Sequence, residues 1–433
     1  AGVVSPVKLL ASGVVVIFMK NYNDASWTAF ERRFVKSIPL VFLAGALLVA
    51  PVCAQAQLPP TTAHFGSAEV VEVPYRIVHG LVVIPVSLNG SAPLQFILDT
   101  GAPVVVIRDT AVAKTLSLRI AGQARVGGAG DGERRTAPFA IGMTARVGAL
   151  EVKNVSGIVG SVEGAIPGVD GIIGGALFQN AVVEFDFDEK VVRFHNPTAR
   201  RFAMAGDSLP LRVDANVQPF VRGTVTVNGI AMSLELNLDT GARQPLALAR
   251  TTMEKHRAMP DRKLSTIVGF GSRGEARGDI IRASKLDLGR ASLVAITTSV
   301  MNNEPGGEGR IGLPVLERFH LWIDYPGQRI VLQPRANVGD PFPAQTTGLV
   351  FFPAKDSTVR VVAEAGEGTP AREAGVQRGD TLLAVNGRDL RTLDDRGIRE
   401  QVIMPPAGTA VRLTIKRGAT LHEFRLVSRT LIP

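Results

Sequence analysis

The feature that most constrains this chain is a repeat: the stretch LDTGA occurs at 98–102 and again at 238–242. One Asp-Thr-Gly is a common turn. Two copies with matching surroundings describe a duplicated unit. Each is preceded by an alternating apolar run, an Asn-Gly pair (Asn89-Gly90 and Asn228-Gly229) and a second run ending at the Asp. Asn-Gly between alternating runs predicts a β-hairpin, because the tight turn needs positive φ at both central residues. GIIGGALF (171–178) matches GRIGLPVL (309–316), so Gly174 follows Asp99 by 75 positions and Gly312 follows Asp239 by 73. Twelve residues beyond those glycines come VEFDF around Asp186 and LWIDY around Asp324, which return as VVRF and RIVL. With 45 Gly, 27 Pro and few aromatic residues, short strands and many turns are expected over long helices.

Two copies of an acid-bearing loop suit a definite chemistry. Hydrolysis of a peptide bond by water needs a base to activate the water and an acid to protonate the carbonyl oxygen. Two carboxylates about 3 Å apart supply both, because like charges that close share one proton. Asp-Thr-Gly-Ala followed some 75 residues later by two apolar residues and Gly resembles the aspartic peptidases of the pepsin and retropepsin type. The resemblance covers about residues 70 to 334, with lobes retropepsin-like in size and in the Ala after Gly, and pepsin-like in being two in one chain. It implies a mainly β fold of two tandem acid-protease lobes and a catalytic pair of Asp99 and Asp239.

The same resemblance assigns the neighbouring residues. Thr100 and Thr240 are expected to bond across the pseudo-twofold axis, and Gly101 and Gly241 to bring backbone N–H groups toward the carboxylates. Ala102 and Ala242 stand where pepsin-type lobes carry a hydroxyl donor. A carboxylate without that donor has a higher pKa, so the expected activity optimum is mildly acidic to neutral. Arg310 takes a position that is apolar in the first copy. The Gly-rich segments 126–132 and 268–274 fall where the family has its flap hairpins, which places Gly127, Gly128, Gly130, Gly269, Phe270 and Gly271 over the substrate. Neither segment carries a Tyr, as retropepsin flaps do not.

After a linker at 335–346, the rest of the chain (347–430) resembles a PDZ domain. Gly348-Leu349-Val350-Phe351 matches the carboxylate-binding loop, and 369–387 (TPAREAGVQRGDTLLAVNG) matches a short helix, a tight turn and a strand ending in Asn386-Gly387. PDZ domains hold extended C-terminal peptides as an added strand. A bracing or dimerising module is the alternative role.

The N-terminal part is read as a leader. After a possible start at Met19 come Arg32, Arg33 and Lys36, an apolar run from Ile38 to Val52 and Ala54-Gln55-Ala56. That order of basic, apolar and small residues predicts a secretory signal ending near residue 56, and the run is short for a bilayer span. The expected setting is secreted, in a bacterial periplasm, with no stable membrane span after cleavage. Cys53, the single cysteine, lies inside this segment, which excludes thiol and Cys-zinc chemistry from the remainder. Residues 57–70 read as a short pro-segment or a tail. The net charge of +9 is spread evenly, without basic blocks interleaved with aromatics, so no nucleic-acid partner is expected. GFGSRG at 269–274 spells a dinucleotide pattern but lacks the strand–turn–helix context. The six His are scattered, so no metal and no cofactor are expected.

The reading that follows is an aspartic endopeptidase with lobes at 70–198 and 209–334, acting on protein or peptide substrates, with a C-terminal peptide ligand at the PDZ domain. Its rivals are a non-catalytic peptide-binding scaffold on the same fold, and an enzyme whose lobes pair between chains.

Overall fold

The computed structural model describes residues 9–11, 14–17, 59–133, 135–160, 166–199, 204–352 and 359–432. The leader region around 32–56, with Cys53, and the possible start Met19 lie outside the described residues. No helix among the described residues is long and apolar enough to cross a membrane.

The chain is mainly β, in two lobes of the same plan followed by a smaller β module. Each lobe begins with the hairpin that the alternation predicts. Leu81–Leu88 pairs with Leu94–Leu98, and Pro219–Val227 pairs with Ile230–Asp239. Both turns have positive φ at Asn and Gly: 48° and 80° at Asn89-Gly90, 50° and 77° at Asn228-Gly229. That is the right-twisting turn Asn-Gly favours.

Each hairpin delivers its Asp to the lobe's centre, where two further strands clasp it. In lobe 1, Gly171–Ile173 runs parallel to Leu94–Leu98 and antiparallel to Val105–Ile107. In lobe 2, Gly309–Gly312 runs parallel to Ile230–Asp239 and antiparallel to Leu246–Ala249. The inward faces of these strands, such as Phe96, Leu98, Ile173, Leu236, Leu238 and Ile311, are fully or almost fully buried in one core shared by both lobes. At roughly 1.5–3 kcal/mol for each such side chain, this burial is what holds the acid loops in place.

The lobes are joined underneath by a sheet built from their last hairpins. Val182–Asp186 pairs with Val191–His195, Phe319–Asp324 pairs with Arg329–Pro334, and the two hairpins join through Val183↔Ile323, Glu184↔Trp322 and Phe185↔Leu321. The paired Asp186 and Asp324 are turn residues. Asp186 Oδ1 accepts the N–H groups of Asp188 and Glu189, and Asp324 Oδ1 accepts that of Gly327.

One sequence reading changes here. Within 57–70, Thr62–His64 is not a loose tail, because it pairs antiparallel with residues 151–153 of Leu150–Val159. That strand is flanked by Arg135–Val147 on one side; on the other, Val105–Ile107 pairs only with residues 157–159, and Thr62–His64 covers the stretch 151–153.

The C-terminal module has its own core, including Leu349, Val362, Val376, Leu382, Ile398 and Leu413. Among the described residues, the strand Leu349–Phe351 is at one edge of its sheet, paired with Arg360–Ala365 on one side. The short helical stretch Asp395–Ile403 lies near that edge.

Candidate active site

The two acid loops meet back to back. Thr100 N donates to Thr240 Oγ1 and Thr240 N donates to Thr100 Oγ1, both at 3.0 Å. Thr100 Oγ1 donates to Leu238 O at 2.6 Å, and Thr240 Oγ1 to Leu98 O at 2.8 Å. Both threonines are fully buried. Four reciprocal bonds thus lock one lobe to the other at the axis, each worth about 1 kcal/mol net and more if a partner is left unpaired. The loops come together within one chain, so the pairing of lobes between chains is not needed to bring the two Asp together.

The glycines explain how close the loops come. Gly101 N and Gly241 N each donate to Oδ1 of their own loop's Asp, at 2.7 and 2.9 Å. A Cβ on Gly241 would lie 2.3 Å from Asp99 Cγ, so the Asp99 carboxyl leans over that residue and tolerates no side chain there. Beneath the loops, a Cβ on Gly174 would lie 1.7 Å from Asp99 O, and one on Gly312 would lie 2.0 Å from Gln244 O. Gly175 N donates to Ala102 O and Leu313 N to Ala242 O, both at 2.9 Å. Ala102 and Ala242 are buried and supply backbone bonds only.

The carboxyls of Asp99 and Asp239 face each other across the axis: a Cβ on Gly101 would lie 3.1 Å from Asp99 Oδ1 and 3.2 Å from Asp239 Oδ1. Burial and the neighbouring Asp239 push the Asp99 carboxyl well above the usual carboxylate range, against the pull of Gly101 N–H and Arg310. A carboxyl so placed is protonated where an isolated one is charged. Sequence reasoning marked Arg310 only as a departure from the apolar pattern. In the structure its Nη1 donates to Asp239 Oδ2 at 2.9 Å and its Nη2 to Glu304 Oε2 at 3.3 Å. Arg310 therefore belongs to the candidate site, a placement that its strand context disguised. The available signal was a charge in a segment whose first copy reads GIIG.

The dyad lies on the floor of a cavity of about 870 Å³. Its roof is the pair of Gly-rich hairpins. Gly127, Gly128 and Gly130 stand in the turn after Arg119–Val126, and Gly269, Phe270 and Gly271 end the strand Leu264–Gly271. The two tips interlock. Ser272 Oγ donates to Gly127 O, Arg273 N to Ala129 O at 3.0 Å, and Gly132 N to Arg273 O at 2.8 Å. At φ +118° and with the Arg273 backbone 2.5 Å from any Cβ, position 130 accepts only glycine.

The C-terminal module supplies the remaining wall. Leu349, Val350 and Phe351 of the edge strand line the same cavity, together with Ile398, Ile403 and Met404 from the helical stretch opposite. Gly348, at φ +79°, turns the chain into that strand. The module is fastened to the lobe-2 hairpin. Glu364 accepts from Thr266 Oγ1 at 2.8 Å, Ile267 N at 2.6 Å and Arg277 Nη1 at 3.0 Å, and the rings of Phe352 and Phe270 lie 5.9 Å apart. Those three donors hold the Glu364 carboxyl below its ordinary range despite its burial. On the other side, His79 of lobe 1 meets Asp395 at 2.8 Å.

A second acidic group sits between the lobes, where Glu184, Asp186 and His320 offer ligand atoms within 4.8 Å of one another. Arg193 Nη1 lies 2.9 Å from Glu184 and 3.2 Å from Asp186. A guanidinium between the carboxylates already supplies the positive charge, so this donor set does not suit a cation.

Comparison with known proteins finds similarity in two segments of the chain. Residues 84–177 match the family described as Aspartyl protease, and residues 361–417 match the PDZ domain family. Among solved structures, the chain resembles the crystal structure of an aspartic proteinase from Irpex lacteus, at 14% identity, over 63% of this chain and 99% of that one, with a TM-score of 0.43. No curated protein sequence matches.

Proposed function

We propose that this aspartyl protease-like chain with its PDZ domain is an aspartic endopeptidase, hydrolysing peptide bonds with a water activated between Asp99 and Asp239. The observation that carries the reading is the juxtaposition of those two carboxyls, held by the reciprocal threonine bonds on the floor of a large cavity. One charged and one protonated carboxyl form a matched base and acid in a single site. The base takes a proton from water as the water oxygen bonds to the carbonyl carbon. The acid gives its proton to the carbonyl oxygen, forming a gem-diol. The proton just gained by the base then passes to the amide nitrogen, the C–N bond breaks, and a diol hydroxyl returns a proton to the other carboxylate. The products are a carboxylic acid and an amine, and the pair is restored. Water is the nucleophile, so the cycle needs no cofactor.

The PDZ domain suits the capture of substrate ends. Its strand Leu349–Phe351 has an edge that is unpaired among the described residues and lines the cavity that holds the two Asp. An extended peptide added to that edge has a path toward the acid pair. The leader-like N-terminus suits action in an exported setting, on the periplasmic side of a bacterial membrane.

The test is cleavage of casein and of a peptide library by the wild type, Asp99→Asn and Asp239→Asn. Both variants are expected to lose at least about a thousandfold in rate, because neither half of the pair performs both proton transfers. Peptides with free carboxy termini are expected to be cleaved at lower concentration than their amidated forms. Cleavage that persists unchanged in both Asn variants refutes the reading, and favours a peptide-binding scaffold.

A further inference from the structure

The repeat makes the dyad symmetric in backbone, yet its surroundings are not. In lobe 1 the strand beneath Asp99 presents Ile172, which faces Ile97 and Val106 on its two neighbours. In lobe 2 the same position is Arg310, which faces Asn237 and Ala247. The three changes go together. A guanidinium needs more room than an isoleucine end, and Ala247 gives it where Val106 would crowd it. Arg310 is 8% exposed, and the Glu304 side chain is fully buried. Glu304 is itself fixed, with Oε1 accepting Gly306 N at 2.9 Å. A Cβ at Gly306 would come 3.1 Å from the Cβ atoms of both Arg310 and Asn237, so the loop closes tightly over the pair.

We propose that Arg310, braced by Glu304, is the positioning residue that makes the two carboxyls unequal: it keeps the negative charge on Asp239 and leaves the shared hydrogen on Asp99. The bond from Arg310 Nη1 occupies Asp239 Oδ2, while Gly241 N–H occupies Oδ1. Both oxygens of Asp239 thus accept from donors that favour its charged form. Asp99 accepts one backbone N–H, from Gly101, and feels Arg310 only through space. In the hydrolysis proposed above, Asp239 becomes the base and Asp99 the acid. A symmetric pair would exchange these roles freely.

Other charges face the pair from each packed element. Tyr325 lies beneath, its hydroxyl pushed well up by burial and by Asp99, Asp214 and Asp239. Higher on the wall stand Arg108 and Arg243, with Arg273 on the roof and His79, Arg360, Asp395 and Arg399 at the PDZ rim. Arg310 is the cation bonded to a dyad oxygen. Burial pushes the Glu304 carboxyl up while Arg310 pulls it down, so Glu304 competes with Asp239 for the same guanidinium. That competition fixes opposite signs for two variants.

The experiment is the pH profile of kcat/KM for the wild type, Arg310→Met, Arg310→Lys and Glu304→Gln, with thermal unfolding of each as a folding control. Loss of the cation raises the pKa of the carboxylate it served, so the acid limb for Arg310→Met is expected to move up by about 1 pH unit or more. Arg310→Lys is expected to restore most of that displacement. Glu304→Gln frees the guanidinium for Asp239 and is expected to move the limb down. If Arg310→Met does not fold, the opposite movement in Glu304→Gln and the retained limb in Arg310→Lys carry the test. An acid limb that stays in place while the rate falls makes Arg310 a packing residue and overturns the proposal. A gain in rate at every pH makes it a lock on the dyad, and also overturns it. This inference rests on the proposed hydrolysis for its kinetic arm only. Titration of 13Cγ-labelled aspartates, assigned with the two Asp→Asn variants, reads which carboxyl ionises first with no substrate. Ionisation of Asp239 first, together with no cleavage of any peptide, would sustain the charge assignment and reject the endopeptidase. Ionisation of Asp99 first rejects the assignment, whatever the activity.

Discussion

Lobe 1 and lobe 2 present the same loop to the axis, with the same threonine bonds and the same glycine N–H on each carboxylate. They differ in what lies beside the loop. Lobe 1 surrounds its Asp with Ile97, Ile172 and Val106. Lobe 2 surrounds its Asp with Asn237, Arg310 and the buried Glu304. The lobes differ again at the roof, where the PDZ domain grips the lobe-2 hairpin through Glu364. Backbone geometry in this protein is duplicated, while charge and attachment have diverged. A pair of acids needs matched positions to share a hydrogen and unmatched surroundings to decide who holds it.

The shared part of that comparison is the most costly to break. Gly174→Ala and Gly312→Ala each drive a methyl into backbone oxygen, at 1.7 and 2.0 Å. Each is expected to lose more than about 4 kcal/mol in urea unfolding. A mild effect at one site alone would show that the lobes are supported unequally beneath the loops. Next come Thr100→Val and Thr240→Val. Each removes a hydroxyl that both donates and accepts across the axis, leaving two buried groups unpaired, for roughly 2–4 kcal/mol. The bonds are reciprocal, so the two losses are expected to agree.

The divergent part is tested by stability, where the two Asp→Asn variants should differ in sign. Asp99 has a folded pKa raised above its unfolded value. Such a carboxyl disfavours folding once the pH exceeds the unfolded value, near 3.9, and the penalty grows as pH rises toward the folded value. Asp99→Asn is therefore expected to be more stable than wild type at pH 7, by about 1 kcal/mol or more, and equal to it near pH 3. Asp239→Asn removes a carboxylate from Arg310 in a buried site and is expected to be less stable at pH 7, by roughly 2 kcal/mol. Thermal unfolding at both pH values checks this, and shifts of the same sign would erase the proposed difference between the lobes. The smallest effect is expected at the PDZ edge. Ile403→Ala trims a half-buried side chain from the cavity wall and should weaken binding of a free C-terminal peptide by roughly three- to tenfold in Kd, measured by fluorescence anisotropy.

Much of this was legible in the chain before its fold was known. Asn89-Gly90 and Asn228-Gly229 mark their hairpins because few other pairs take positive φ twice. The equal spacing of Gly174 and Gly312 from their Asp residues marks the strands beneath the loops. The Ala102 and Ala242 positions pointed to weakly supported carboxylates. That expectation concerns both halves alike, whereas in the fold a donor reaches Asp239 from Arg310, 71 residues along the chain. Nothing local to LDTGA announces that contact. Likewise, Thr62–His64 carries no signal that it closes a sheet edge, because the edge belongs to residues 150–159.

The sequence by itself determined the doubled β unit, the two acid loops and the PDZ module, since those depend on local turn chemistry, alternation and spacing, which are written in order along the chain. Only the tertiary structure decided that the two acid loops meet face to face, that Arg310 stands on one side of the pair, and that the edge strand Leu349–Phe351 opens into the same cavity. These are relations between groups distant in sequence, and their energies depend on burial and separation, which exist only once the lobes have packed.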